Sequence, residues 1–271
     1  MTDVIKEHTL SLFSKNTRED GRKLDEYRKD FKIELGVSSK SAEGSAKVTL
    51  GETVVIAGVK LEVTTPFPDT PDAGAFMVNV ELLPLSSPDF EPGPPSISSI
   101  ELSRVTDRVL RESEFIDFKK LCLKKGEKAW MILVDIYPIN NAGNLFDVAY
   151  IAALAALKDA KFPKLNKENK IDYSEHTKTG LPLSKDFPMS CTVLKSKNFI
   201  YVDPTDKEEE ISDARLTIGL TSHDEISALQ KGGEAGLTIP EIDKMVSLAI
   251  IKTKELRKLI KWNSQNLKKQ G

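Results

Sequence analysis

The sequence predicts an α+β chain built as two loosely duplicated sheet-plus-helix halves, and three observations carry that expectation. Segments rich in β-branched residues (FKIELGV, AKVTL, TVVIAGVKLEVT and AFMVNVEL) follow one another before the first long helical patterns. The same order returns after a polar stretch, with PMSCTVLK, NFIYV, ARLTIGL and a short segment near Ile226 preceding a last helix. At 271 residues, 39% of them hydrophobic and 30% charged, the chain is long enough for one large or two modest domains with a substantial core.

Residues 1–16 form an N-terminal extension in which Val4, Ile5, Leu12 and Phe13 recur at roughly helical spacing, as in an amphipathic helix lying on the body or a partner. TREDGRKLDEYR, which follows, is polar and turn-like. The first half is expected over 17–165, and the lengths and glycine punctuation of its strands suit a largely antiparallel sheet. SSPDFEPGPPS holds four of the fourteen prolines, which forces an extended loop because proline neither continues a helix nor pairs in a central strand. A helix then starts: Ser98 and Glu101 have capping-box spacing, and Leu102, Val105 and Val109 give one apolar stripe. AWMILVDIYP reads as a buried strand and FDVAYIAALAALKDA as a core helix, apolar nearly all round. A polar linker over 166–185 separates the second half, 186–271. Thr238 and Glu241 cap its final helix, with Pro240 in the first turn and Ile242, Met245, Val246, Ala249, Leu256 and Leu259 on the buried face.

The formal net charge of −2 excludes a strongly basic nucleic-acid coat, so any such contact is local. Cys122 and Cys191 are far apart without a CxxC or Cys/His pattern, which fits a reducing cytoplasm and speaks against structural zinc. MTDVIKEHTLSLF has neither a signal-peptide core nor a span, so a cytoplasmic protein with no membrane partner is expected. His8, His176 and His223 lack metal or nucleophile-relay spacing, and KGGEAG lacks the Lys-Ser/Thr of a phosphate-cradling loop.

Two charge patterns remain. YVDPTDKEEE, Tyr201 to Glu210, packs five carboxylates behind an apolar run, a composition that suits either a divalent metal or a solvated acidic turn. Arg104, Arg108 and Arg111 project from one side of the helix beginning near Ser98. Guanidinium groups there suit phosphate oxygens, while Glu101, Asp107, Glu112, Glu114 and Asp117 offer them surface ion pairs instead.

TREDGR, EGSAKVTLGETVVIAGVKLEV, ELSRVTDRVLRES, WMILVDIYP and GLTIPEIDKM occur in an order that resembles the RNase PH family, whose fold is of the ribosomal protein S5 domain 2-like type. With DARLTIGL and the N-terminal helical extension, the chain is most similar to the non-catalytic RNase PH-like subunit type of the archaeal exosome. The resemblance implies 3′-to-5′ phosphorolysis of RNA within a six-membered ring of three heterodimers. In its catalytic members two aspartates six residues apart serve the metal or the proton, and a Gly-Gly-Thr-Arg stretch before an Ala-rich helix holds phosphate. Aligned without gaps, the aspartate positions fall at Tyr201 and Lys207, with Asp203 and Asp206 close by. The threonine and arginine positions fall at Leu145 and Phe146, and LQKGGEAG, Leu229 to Gly236, replaces a Gly-Thr-Ala-Glu-Gly turn.

A phenol, an amine and a benzyl ring cannot gather a metal and an attacking anion, so the resemblance implies a chain with no catalytic residues, no metal and no cofactor. Glu208, Glu209 and Glu210 are then expected as a solvated acidic edge. The implied partners are a catalytic RNase PH-like exosome subunit, RNA, and cap proteins above the ring, with Arg104, Arg108 and Arg111 as the RNA-facing residues. Two other functions stay open: a phosphorolytic exoribonuclease active by itself through Asp203 or Asp206, and an RNA-binding module outside any degradative complex.

Overall fold

A computed structural model describes residues 2–166 and 171–267. Helix α1 (Thr2–Ser14) leads through an irregular segment into β1 (Phe31–Leu35), β2 (Gly44–Leu50), β3 (Thr53–Thr64) and β4 (Ala75–Val80). Then come α2 (Ile97–Glu112), β5 (Cys122–Lys124), β6 (Lys128–Asn140) and α3 (Leu145–Asp159). After α3 come β7 (Lys161–Leu165), β8 (Ile171–Gly180), β9 (Met189–Ser196), β10 (Phe199–Val202), α4 (Asp206–Glu210), β11 (Ala214–Leu220), β12 (Ile226–Gly232) and α5 (Ile239–Leu267).

Period-two patterning builds the larger sheet. In β3, Val55, Ala57, Val59 and Leu61 are buried while their neighbours are half-exposed, because successive side chains point to opposite faces. Its strands run β1-β2-β3-β6-β4 with β5 on β6, antiparallel except for the β4–β6 pair. The smaller sheet runs β10-β9-β11-β12. Helix α3 packs against both, on β2, β3 and β6 from one side and β9 from the other, which is why twelve of its fifteen residues are buried. On β11, Leu216, Ile218 and Leu220 join Cys191, Val193, Met245 and Ala249 beneath α5, whereas Gly219 on the alternate face meets Val109 of α2.

Four local expectations change. Leu10 and Phe13 anchor α1 in a cluster with Leu194 and Tyr201, while Val4 is 80% exposed, since it lies on the far side of the helix from Phe13. Helix α2 starts earlier, capped by Ser96, whose side chain accepts from the Ser99 N–H; Ser98 and Glu101 lie inside the helix and Glu101 turns outward to another partner. The stretch read as a linker contains β8, whose backbone pairs antiparallel with β7, since a polar segment can still form a strand where a neighbouring strand supplies the hydrogen-bond partners; residues 167–170 of it are outside the described residues. In α5 the stripe centred on Met245, Ala249 and Leu256 takes in Ile260, and Leu259 is exposed on its margin. No described helix is long and apolar enough to cross a membrane.

Candidate functional site

The polar segment between α1 and β1 makes a clasp at the junction of the two sheets. Asp203 follows β10 with φ at +47°, and that turn aims its carboxylate inward, where it has no solvent exposure. It accepts from Arg22 Nη1 at 2.9 Å, from the Arg28 N–H at 2.7 Å and Nη2 at 2.8 Å, and from Asn144 Nδ2 at 2.8 Å. Asp20 orients Arg22 by accepting from its N–H and its Nε. Arg18, fully buried, donates to the carbonyls of Leu24, Val202 and Asp203 and pairs with Glu208 at 3.4 Å. Gly143, at φ +87°, lets the loop before α3 pass under α4, since a Cβ there would stand 2.4 Å from the Pro204 carbonyl.

YVDPTDKEEE is therefore not a solvated turn. Glu208 is buried, closes a capping box with Thr205 and binds Arg18, and Glu209 sends a carboxylate oxygen to the Asn144 N–H at 2.8 Å. Burial pushes Glu209 up to about 7, against the pull of that N–H and of Arg215 and Arg28. Only Asp206, Lys207 and Glu210 keep the expected exposure. Among the described residues no group of three or more His, Cys, Asp or Glu side chains is placed to hold a metal ion. His8 and His223 belong to no such group, and the side chain of His176 is outside the described residues.

Tyr201 and Lys207 do not share a cleft. Tyr201 is in the core, its ring 4.9 Å from Phe13 and its hydroxyl hydrogen-bonded to Ser196 and donating to the Glu208 carbonyl; burial pushes that hydroxyl well above its ordinary pKa. Lys207 is exposed and pairs with Glu19. The residues that meet the start of α3 have the same spacing of six but lie eight positions on: Glu209, at the Asn144 N–H, and Arg215, on the Phe146 ring. The Arg215 guanidinium stacks 3.9 Å from the Phe146 ring and pairs with Glu101 of α2 at 2.5 Å.

One turn into α3, Asp147 accepts from Tyr27 Oη at 2.9 Å, and that hydroxyl also contacts Cys191. Burial raises Asp147 to about 6.

The arginine face divides. Arg111 is bound bidentately by Asp107, donates to the Phe76 carbonyl and stacks near Phe76 and Phe118, so it is spent on structure. Arg104 and Arg108 are exposed, with no side-chain partner among the described residues. All three line an open depression of about 360 Å³ with Met77 and Glu112. Sequence reasoning missed Arg215 and the clasp. A signal for Arg215 existed, namely an arginine at an alternating position inside the otherwise apolar strand ARLTIGL; nothing in TREDGR showed that its arginines would find Asp203, some 180 residues away.

Residues 27–163 match the family model described as 3′ exoribonuclease family, domain 1, and residues 186–252 match domain 2 of the same family. The chain is 45% identical to the exosome complex component Rrp42 of Methanothermobacter thermautotrophicus over 255 residues, covering 94% of this chain and 93% of that protein. Among solved structures it is similar to a chain of the Archaeoglobus fulgidus exosome with RNA bound to the active site, at 42% identity and a TM-score of 0.86, covering 95% of this chain and 98% of the other. A chain of an archaeal exosome core matches at 39% identity and a TM-score of 0.83, over 96% and 97% of the two chains.

Proposed function

The chain belongs to the 3′ exoribonuclease family of the RNase PH type, and from that premise we propose that it is a non-catalytic subunit of an exosome ring that degrades RNA from its 3′ end. In this reading it alternates with a catalytic paralogue in the cytoplasm, helps shape that partner's active site and guides RNA with Arg104 and Arg108. Exosome membership is supported by relatives that bear that name and align over nearly their whole length.

What supports the non-catalytic reading is the stacking of Arg215 on Phe146, at positions that we read as the family's reactive place. A phosphorolytic centre needs carboxylates for a metal and a cation free to hold the attacking phosphate. We read Glu209 and Arg215 as standing where the six-spaced aspartates would be. One carboxylate is turned onto a helix N-terminus, and the other position carries a guanidinium already paired with Glu101. The reading of an enzyme active alone through Asp203 loses its base, because both Asp203 oxygens are engaged by Arg22, Arg28 and Asn144.

The purified chain, given RNA, inorganic phosphate and magnesium, is expected to release no nucleoside diphosphates, and mixing with the catalytic paralogue is expected to start release. Phosphorolysis by the chain alone, at a rate comparable with the mixture, would refute the proposal. Tight RNA binding without any association with the paralogue on size-exclusion chromatography would instead favour a free-standing RNA-binding module.

A further inference from the structure

Glu101 lies on the same side of α2 as the two free arginines: taken at 100° per residue, Glu101, Arg104 and Arg108 fall within about 60° of one another. A carboxylate three or four residues before an arginine pairs with it readily, as Asp107 does with Arg111 one turn further on. Arg104 has Glu101 at that distance and yet no such pair forms. The Glu101 carboxylate is instead turned toward the smaller sheet, where Oε1 accepts from Arg215 Nη2 at 2.5 Å and from Gln230 Nε2 at 3.2 Å.

Arg215 is held for this contact on several sides. Its guanidinium stacks on Phe146 from α3, and the residue opposite it on β12 is Gly232. A Cβ at Gly232 would stand 2.5 Å from Nη2 and 2.7 Å from Cζ, so only glycine leaves the seat open in this pose. Phe146 of α3 and the open seat at Gly232 of β12 thus hold the guanidinium where it reaches back to α2.

We propose that Arg215 is a positioning residue for the RNA face: by taking Glu101, it keeps Arg104 out of an intrahelical ion pair, so that α2 presents two unspent cations to phosphate. This rests on the reading that Arg104 and Arg108 contact RNA. With Arg215 removed, the Glu101 carboxylate is released toward Arg104, one cation on the face is neutralised and the local field becomes less attractive to an anionic strand.

The test is binding of a single-stranded oligoribonucleotide to the ring assembled with the catalytic paralogue, measured over a range of salt concentrations. Arg215→Ala is expected to weaken binding about 3- to 10-fold and to reduce the salt slope by roughly the share of one phosphate contact. Adding Glu101→Gln to Arg215→Ala is expected to restore both, since the released carboxylate is then gone. Unchanged binding in Arg215→Ala overturns the proposal, and so does a loss that persists in the double variant, because a purely structural role would not be rescued by removing Glu101. Should the Arg215→Ala chain not assemble, Gly232→Ala, which displaces the guanidinium without deleting it, takes its place with the same outcomes and the same rescue. The Arg104→Glu, Arg108→Glu ring separates the two ideas: unchanged binding there removes the RNA face itself, whereas weakened binding there with none in Arg215→Ala removes only the role of Arg215.

Discussion

The junction around Asp203 and the outer face of α2 are both arginine-rich, yet they use the residue in opposite ways. At the junction Arg18, Arg22 and Arg28 are nine-tenths buried or nearly so, and most of their donors go to Asp203, Glu208, Asp20 and backbone carbonyls. On α2, Arg104 and Arg108 are exposed and carry no internal partner among the described residues. A guanidinium withdrawn from water must find acceptors inside the protein, whereas one left in water keeps its charge for a visitor. The difference shows that count and type of charge do not separate a structural clasp from a binding face; what separates them is whether a carboxylate is buried alongside.

The comparison breaks most severely if the clasp is emptied. Asp203→Ala leaves Arg22 and Arg28 without their shared anion in a buried site, and a loss of about 3–5 kcal/mol in unfolding free energy is expected from urea or guanidinium titration. A loss below about 1 kcal/mol would mean that the three arginine donors find other partners and that the clasp is not a structural core.

Asp147 sharpens the contrast through pH. Its carboxyl is raised from an ordinary value near 3.8 to about 6, so the fold disfavours the charged form. Its contribution is fully favourable below the unfolded value and is lost as pH rises through the folded one, between about pH 4 and 6. The Asp147→Asn chain, which keeps an acceptor for Tyr27, is expected to gain stability over the native chain at pH 7.5, by at most about 3 kcal/mol, and to gain none at pH 4. Parallel denaturation midpoints for the two chains across that range would contradict it.

The smallest effect belongs to the surface. Lys207 and Glu19 form an exposed pair, and Lys207→Ala is expected to change stability by less than about 0.5 kcal/mol, with the remainder vanishing in high salt. A larger change would place Lys207 with the clasp and not with the solvent-facing charges.

Much of the architecture was legible from local patterning. The alternation in β3 and β6, the apolar α3 and the proline-rich loop before α2 each express a constraint that acts over a few residues: side-chain direction, helical period or a missing N–H. The site was legible only in part. Arg104 and Arg108 are where the helical spacing puts them, but Arg111 is drawn off by Asp107 and the Phe76 carbonyl. Tyr201 is legible as a residue that does not replace a carboxylate, yet its place is the core beneath α1, and at the start of α3 stand Glu209, on the Asn144 N–H, and Arg215, on the Phe146 ring.

By itself the sequence determined the α+β class, the order of the main strands and helices apart from β7, β8 and α4, and the exposure of Arg104 and Arg108 on α2, because propensity and periodicity are local properties of the chain. Only the tertiary structure decided which charges were consumed. Asp203 and Glu208 of YVDPTDKEEE became buried anchors and not part of a solvated edge, and Glu101 went to Arg215 and not to Arg104, because ion pairing depends on distances between segments far apart in the chain. Inside a low-dielectric junction those distances settle which carboxylate each guanidinium can afford to leave unpaired.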